Sequence, residues 1–171
     1  MSPSTIVWSM CSSAALILAL MHFTFWLQDK KKFFYLLSVV MAASASLNAI
    51  IELGLMHSQS LESSKSLLRW GNLCVFGILV PMVWFVQIYF ATGKKWLAVV
   101  ISALWSVAII INFLSPASLV FNQITELKRV TAFWGESFMI PIGIVNPWKI
   151  LPDAASLLIL IYVGDATFRL W

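Results

Sequence analysis

The chain has 171 residues, 61% of them hydrophobic and only 11% charged. A soluble domain carries roughly 25% charged residues, so this balance excludes an ordinary water-soluble globule and makes lipid the expected medium. The net charge of +4 comes from Lys and Arg scattered at the ends of apolar runs, which suits headgroups and membrane topology and argues against nucleic acid as a partner.

The first apolar run covers residues 5–28. No basic residue precedes it, and it is too long for the core of a secretory signal, so it should persist as a span. Two dozen residues at about 1.5 Å each reach some 36 Å, enough to cross with tilt. Asp29-Lys30-Lys31-Lys32 follows. Short loops bearing Lys stay in the cytoplasm, which places the N-terminus outside. The second span, 33–57, has an unusually small centre, Ala42-Ala43-Ser44-Ala45-Ser46, and carries Gly54 near its outer end. Ala42 and Ser46 lie four apart, so one face is nearly flat and a neighbouring backbone can come close. Residues 58–68 are Ser-rich and read as an outer loop. The third span, 69–92, contains Pro81, which removes a backbone donor and predicts a kink. Gly93-Lys94-Lys95 makes a second basic turn, and the fourth span covers 96–114.

Residues 115–153 form the one long segment that does not read as membrane. Ser115-Pro116 stops the fourth helix. Two strand-like stretches, 124–134 and 137–145, flank Gly135-Glu136, a two-residue loop with Gly first that fits a type II′ turn. Phe138, Ile140, Ile142 and Ile144 alternate with Met139, Pro141, Gly143 and Val145, and Pro141 argues for an edge strand. Asn146-Pro147 is a turn, and the last span, 154–171, ends inside. The expected fold is thus all-α and polytopic: a single membrane domain over 1–171, a five-helix transmembrane bundle with a small extracytoplasmic β-hairpin cap. Lys30, Lys31, Lys32, Lys94, Lys95 and Arg169 lie inside, against Lys65, Arg69, Lys128, Arg129 and Lys149 outside. The two short turns decide the orientation because residues in long loops count for less.

Ionisable groups at membrane depth cost about 2.5–3.5 kcal/mol and usually face the bundle interior. The candidates within the spans are His22, Asn48, Glu52, Gln87, Asn112 and Asp165. His22 and Asp165 both lie about 9 Å above the inner interface, so depth allows them to pair. The competing arrangement has His22 on a backbone carbonyl and Asp165 on Arg169, four residues along. Glu52 falls near the outer face, either lining a cavity beneath the hairpin or meeting water beside Arg69. Cys11 and Cys74 read as small apolar core residues. His22 and His57 sit near opposite faces and cannot share a haem. No HExxH, GxSxG, P-loop or GxGxxG occurs, so neither an enzymatic activity nor a cofactor or metal is expected.

Several short strings resemble the membrane-spanning N-terminal region of bacterial PAS-containing sensor histidine kinases. They are Glu52-Leu53-Gly54-Leu55-Met56, Leu68-Arg69-Trp70, Val83-Trp84-Phe85, Asn112-Phe113-Leu114, Ile124-Thr125-Glu126-Leu127, Gly135-Glu136 and Asn146-Pro147-Trp148. The resemblance implies the input half of a two-component sensor, whose last span leads into cytoplasmic PAS and kinase domains. The residues present hold neither a phosphoacceptor-histidine helix nor an ATP lid. The resulting expectation is a sensory module of the bacterial inner membrane. His22, Asn48, Glu52, Gln87, Asp165 and Arg169 are its candidate sensing or coupling residues, and the bilayer and a second copy, joined as a homodimer through signalling helices, are its partners. Two rivals remain open. A small transporter or channel would need a polar path through Glu52, Asn48, Gln87 and Asp165. A structural subunit of a larger complex would pack through the small face of the second span.

Overall fold

The computed structural model describes residues 2–132 and 134–171. Its elements are α1 (Pro3–Gln28), α2 (Phe33–Met56), α3 (Leu61–Tyr89), α4 (Lys95–Leu114), β1 (Phe121–Thr131), β2 (Ser137–Val145), a single 3₁₀ turn (Pro147–Lys149) and α5 (Ile150–Leu170). Among the described residues, five helices are long and apolar enough to cross a membrane. Successive helices run in opposite directions, so the bundle has a hairpin end and an opposite end that carries the two lysine-bearing turns.

Each helix packs on the next in sequence. The buried core lies among α3, α4 and α5, around Val83, Ile101, Trp105, Ile159 and Tyr162. On the other side of α3, α2 and then α1 extend the array. α1 buries only Ser4 and Ala19 and turns apolar side chains such as Met10 and Leu20 outward, a pattern that suits lipid rather than water. Without a hydrophobic driving force between helices, close backbone approach must hold this layer together. The Ser12 hydroxyl donates to the Ser46 carbonyl at 3.1 Å and lies 3.0 Å from the Ser46 hydroxyl, joining α1 to α2. On the α3 side, a Cβ added at Gly77 would overlap the Ser44 hydroxyl. The small centre of α2 is therefore used within the chain, by both neighbouring helices. α3 runs unbroken through Pro81.

Three boundaries depart from expectation. The stretch 58–68 is mostly helix, because α3 begins at Leu61. Ser60 caps it, its side chain accepting from the Ser63 amide at 3.1 Å, and Glu62 in the first turn complements the helix dipole. α5 begins at Ile150, ahead of the expected Ala154, and tolerates Pro152 in its first turn, where a backbone donor is dispensable. In the hairpin, Thr131 pairs with Ser137, so the loop covers 132–136 and is longer than the expected two residues. Trp134 belongs to this turn, while the expected strand at Phe133 lies outside the described residues. The Ala132 amide donates to the Glu136 carbonyl at 2.8 Å, and Gly135 takes φ +85°, where a side chain would be strained. Pro141 does sit in a strand, opposite Leu127. Ile140, Ile142 and Ile144 are exposed, while Met139, Pro141 and Gly143 are half-buried.

Candidate functional site

At the hairpin end, one polar knot joins α3, α4, the following loop and the start of α5. The Asn112 side chain is fully buried. Its Oδ1 accepts from Asn72 Nδ2 and from the Leu119 amide, each at 2.9 Å, and its Nδ2 donates to the Arg69 carbonyl at 3.0 Å. The Arg69 guanidinium donates to the carbonyls of Ser115, Pro116 and Ala117 at 2.7–3.0 Å, neutralising the exposed C-terminal end of α4. Asn146, also buried, donates to Ser115 Oγ at 3.0 Å and to the Ser118 carbonyl at 2.9 Å. Its Oδ1 accepts from the Trp148 amide at 3.1 Å, capping the 3₁₀ turn that runs into α5.

The hairpin tip makes a separate attachment. Glu136 Oε2 accepts from the Ser4 amide in the first turn of α1 and from Trp134 Nε1, both at 3.1 Å. A carboxylate at a helix N-terminus meets unpaired amides and the positive end of the dipole. Hydrogen bonds from the Ser2 and Ser4 side chains, joined by the Ser4 amide and the Trp134 indole, hold the Glu136 carboxyl down to about 2.

Beneath β2, Glu52 shares a cavity of about 260 Å³ with Leu55, Met56, Leu68, Phe138, Met139, Ile140 and Pro141. Arg69 is committed to the carbonyls after α4, and Glu52 has no ion-pair partner among the described residues. Glu52 thus lines a recess beneath the hairpin and is not paired with Arg69. Asn48, half-buried one turn away, lies beside Gly71 of α3.

The opposite end has its own cluster. The buried Tyr162 hydroxyl donates to the Val83 carbonyl at 3.1 Å and lies 3.4 Å from Gln87 Oε1. Gly93, at φ +86°, lies flush on the Tyr162 ring, where a Cβ would come within 2.7 Å of it. The Thr92 hydroxyl donates to the Ala166 carbonyl at 3.3 Å. Asp165 pairs with Arg169 at 3.0 Å and with Lys94 at 3.9 Å. The α3–α4 turn thus grips the last two turns of α5 through three successive residues.

His22 and Asp165 are not brought together. Nδ1 of His22 lies 2.8 Å from the Leu18 carbonyl, and its ring stands beside Tyr35, 6.2 Å between centroids. Depth alone allowed the pair, but the order of packing puts α1 and α5 on opposite sides of the array. Gln87 does approach Tyr162, whereas Asn48 and Glu52 lie apart from it on α2, so the four residues of the transporter path form no hydrogen-bonded chain among the described residues. Sequence reasoning missed Tyr162, Thr92, Asn146 and the tie between Glu136 and Ser4. Only Asn146 carried a signal, as an Asn-Pro turn. Comparison with protein-family models, with curated proteins and with solved structures found no match.

Proposed function

We propose that the chain is the membrane-embedded input module of a bacterial two-component sensor. It lies in the cytoplasmic membrane with the N-terminus and hairpin outside and the end of α5 inside. One observation carries the reading: a single buried side chain, Asn146, holds the loop before the hairpin and also caps the entry to α5. A displacement of the cap is therefore delivered to the first turn of the last helix. The far end of that helix rests on the α3–α4 turn through Tyr162, Asp165 and Ala166. Glu52 and its cavity supply the input face, and α5, with Asp165 and Arg169, the output. A stimulus shifts such a bundle only by binding two arrangements unequally. The lipid bilayer, a second copy paired along α5, and cytoplasmic PAS and kinase domains complete the signalling assembly, as the resemblance implies.

The test is a graft of residues 1–171 onto a reporter kinase. Asn146→Ala and Glu136→Gln should change kinase output while the grafted protein stays membrane-inserted and stable. Unchanged output from both variants, in a protein shown to be folded, would remove the sensor reading.

A further inference from the structure

The opposite end of the bundle holds a second concave site, unrelated to the hairpin. A groove of about 330 Å³ crosses α2 and is bounded by α1 and α3, with His22, Phe34, Tyr35, Ser38, Phe85 and Tyr89 as its lining. That volume is at the low end of ligand pockets, roughly 300–1,000 Å³. One wall is a set of packed rings: Phe85 stacks on Tyr89 at 5.1 Å and 12°, and Phe34 meets both edge-on. His22 stands beside Tyr35, which itself packs on Phe34 at 4.4 Å between centroids. The carbonyl of Leu18 can only accept, so His22 Nδ1 donates to it, and in the neutral ring Nε2 is the acceptor. Ser38 is committed to the Phe34 carbonyl at 3.1 Å. The phenol hydroxyls of Tyr35 and Tyr89 bond no other described residue and remain as donors. Tyr89 is half exposed, so the groove opens at the surface, near the lysine-turn end of the bundle, rather than into its core.

We propose that this groove binds a lipid-soluble quinol. Aromatic walls favour a flat ring in offset or edge contact. Two hydroxyl donors and one imidazole acceptor call for a ring whose oxygens both accept and donate. A quinol supplies both, its tail remaining along the open flank. A quinone can accept from the tyrosines but offers nothing to Nε2, so it should bind more weakly by about one hydrogen bond, or roughly five-fold. The inference concerns binding alone and does not depend on the sensor reading.

The test uses the full chain in nanodiscs, with a photoreactive azido-benzoquinol as label and peptide mapping as readout. Label should concentrate in residues 33–38 and 85–90. A decyl-tailed benzoquinol should compete about five-fold better than the matching quinone, and decylbenzene should scarcely compete. Tyr35→Phe with Tyr89→Phe, which keeps both rings, should weaken quinol and quinone alike by about twenty-five-fold without shifting the thermal midpoint. His22→Leu should abolish the preference for quinol. Label spread evenly over the apolar flanks, equal competition by decylbenzene, or equal binding of quinol and quinone would each overturn the assignment.

Discussion

Asn112 shows how much one buried amide can organise. Its three hydrogen bonds join α3, α4 and the loop at Leu119. Replacing it by Leu removes them all and leaves Asn72 and the Leu119 amide short of partners. Each buried polar group so orphaned costs about 1–3 kcal/mol. Asn112→Leu should therefore lower unfolding stability by about 2–4 kcal/mol, measured by titration from mild detergent into dodecyl sulfate. A loss below about 1 kcal/mol would mean water replaces the amide. Glu136 makes the complementary case, on the surface. Its folded value, about 2, lies below the ordinary 4.5. The attachment it provides is thus fully present above 4.5 and fades as pH falls through about 2. The Trp134 indole proton, which donates to Glu136, reports on this directly by NMR. Its resonance should titrate near pH 2, and Glu136→Gln should abolish the titration. A midpoint near 4.5 would show that the tip is not held on α1.

At the scale of elements, packing in this bundle rests on missing side chains. Gly77 lets α2 and α3 approach until the Ser44 hydroxyl fills the space of a Cβ. Gly77→Ala must push the helices apart or rotate Ser44, at about 1–3 kcal/mol. Ser44→Gly in the same chain should restore most of that loss, since it removes both clashing atoms, and the double variant in the same dodecyl sulfate titration decides it. The small centre of α2 was legible in the sequence because composition alone marks a flat helix face. The helix count and the presence of a hairpin were legible too, since long apolar runs and period-two alternation survive without knowledge of tertiary contacts. Boundaries were not. The start of α3 at Leu61 was hidden because a Ser-rich stretch was read as polar loop, although Ser60 and Glu62 are good starting signals. The loop at Gly135 was set three residues too short, because Thr131, not Trp134, meets Ser137. The pairing of His22 with Asp165 failed for a different reason. Depth can be counted along a helix, but which helices are neighbours is a property of the assembled array. The strings at Arg69, Asn112 and Asn146 that carry the resemblance fall in the polar knot.

For the whole molecule, the strongest consequence of the proposed membrane reading is that everything at the hairpin end lies on one side of the bilayer and both lysine turns on the other. Lys30, Lys31, Lys32, Lys94 and Lys95 gather at the end opposite the hairpin, with Arg169 of α5 beside Asp165 near them. Helices of 20 to 29 residues reach about 30–44 Å at 1.5 Å per residue, so the two ends cannot share one interface. In the proposed orientation, lysines in short turns hold that end in the cytoplasm. With Cys11 and Cys74 replaced by Ala, single cysteines at Lys31, Lys94 and Asn122 report on the arrangement in intact cells. Asn122→Cys, on an exposed strand position, should react with an impermeant maleimide at once. Lys31→Cys and Lys94→Cys should react only after the membrane is opened. The reverse pattern would invert the bundle and put the cap in the cytoplasm, removing the case for an external input while leaving the fold intact. Reaction of all three from outside would be incompatible with α4 as a span, and the polar knot would then have to be explained in water.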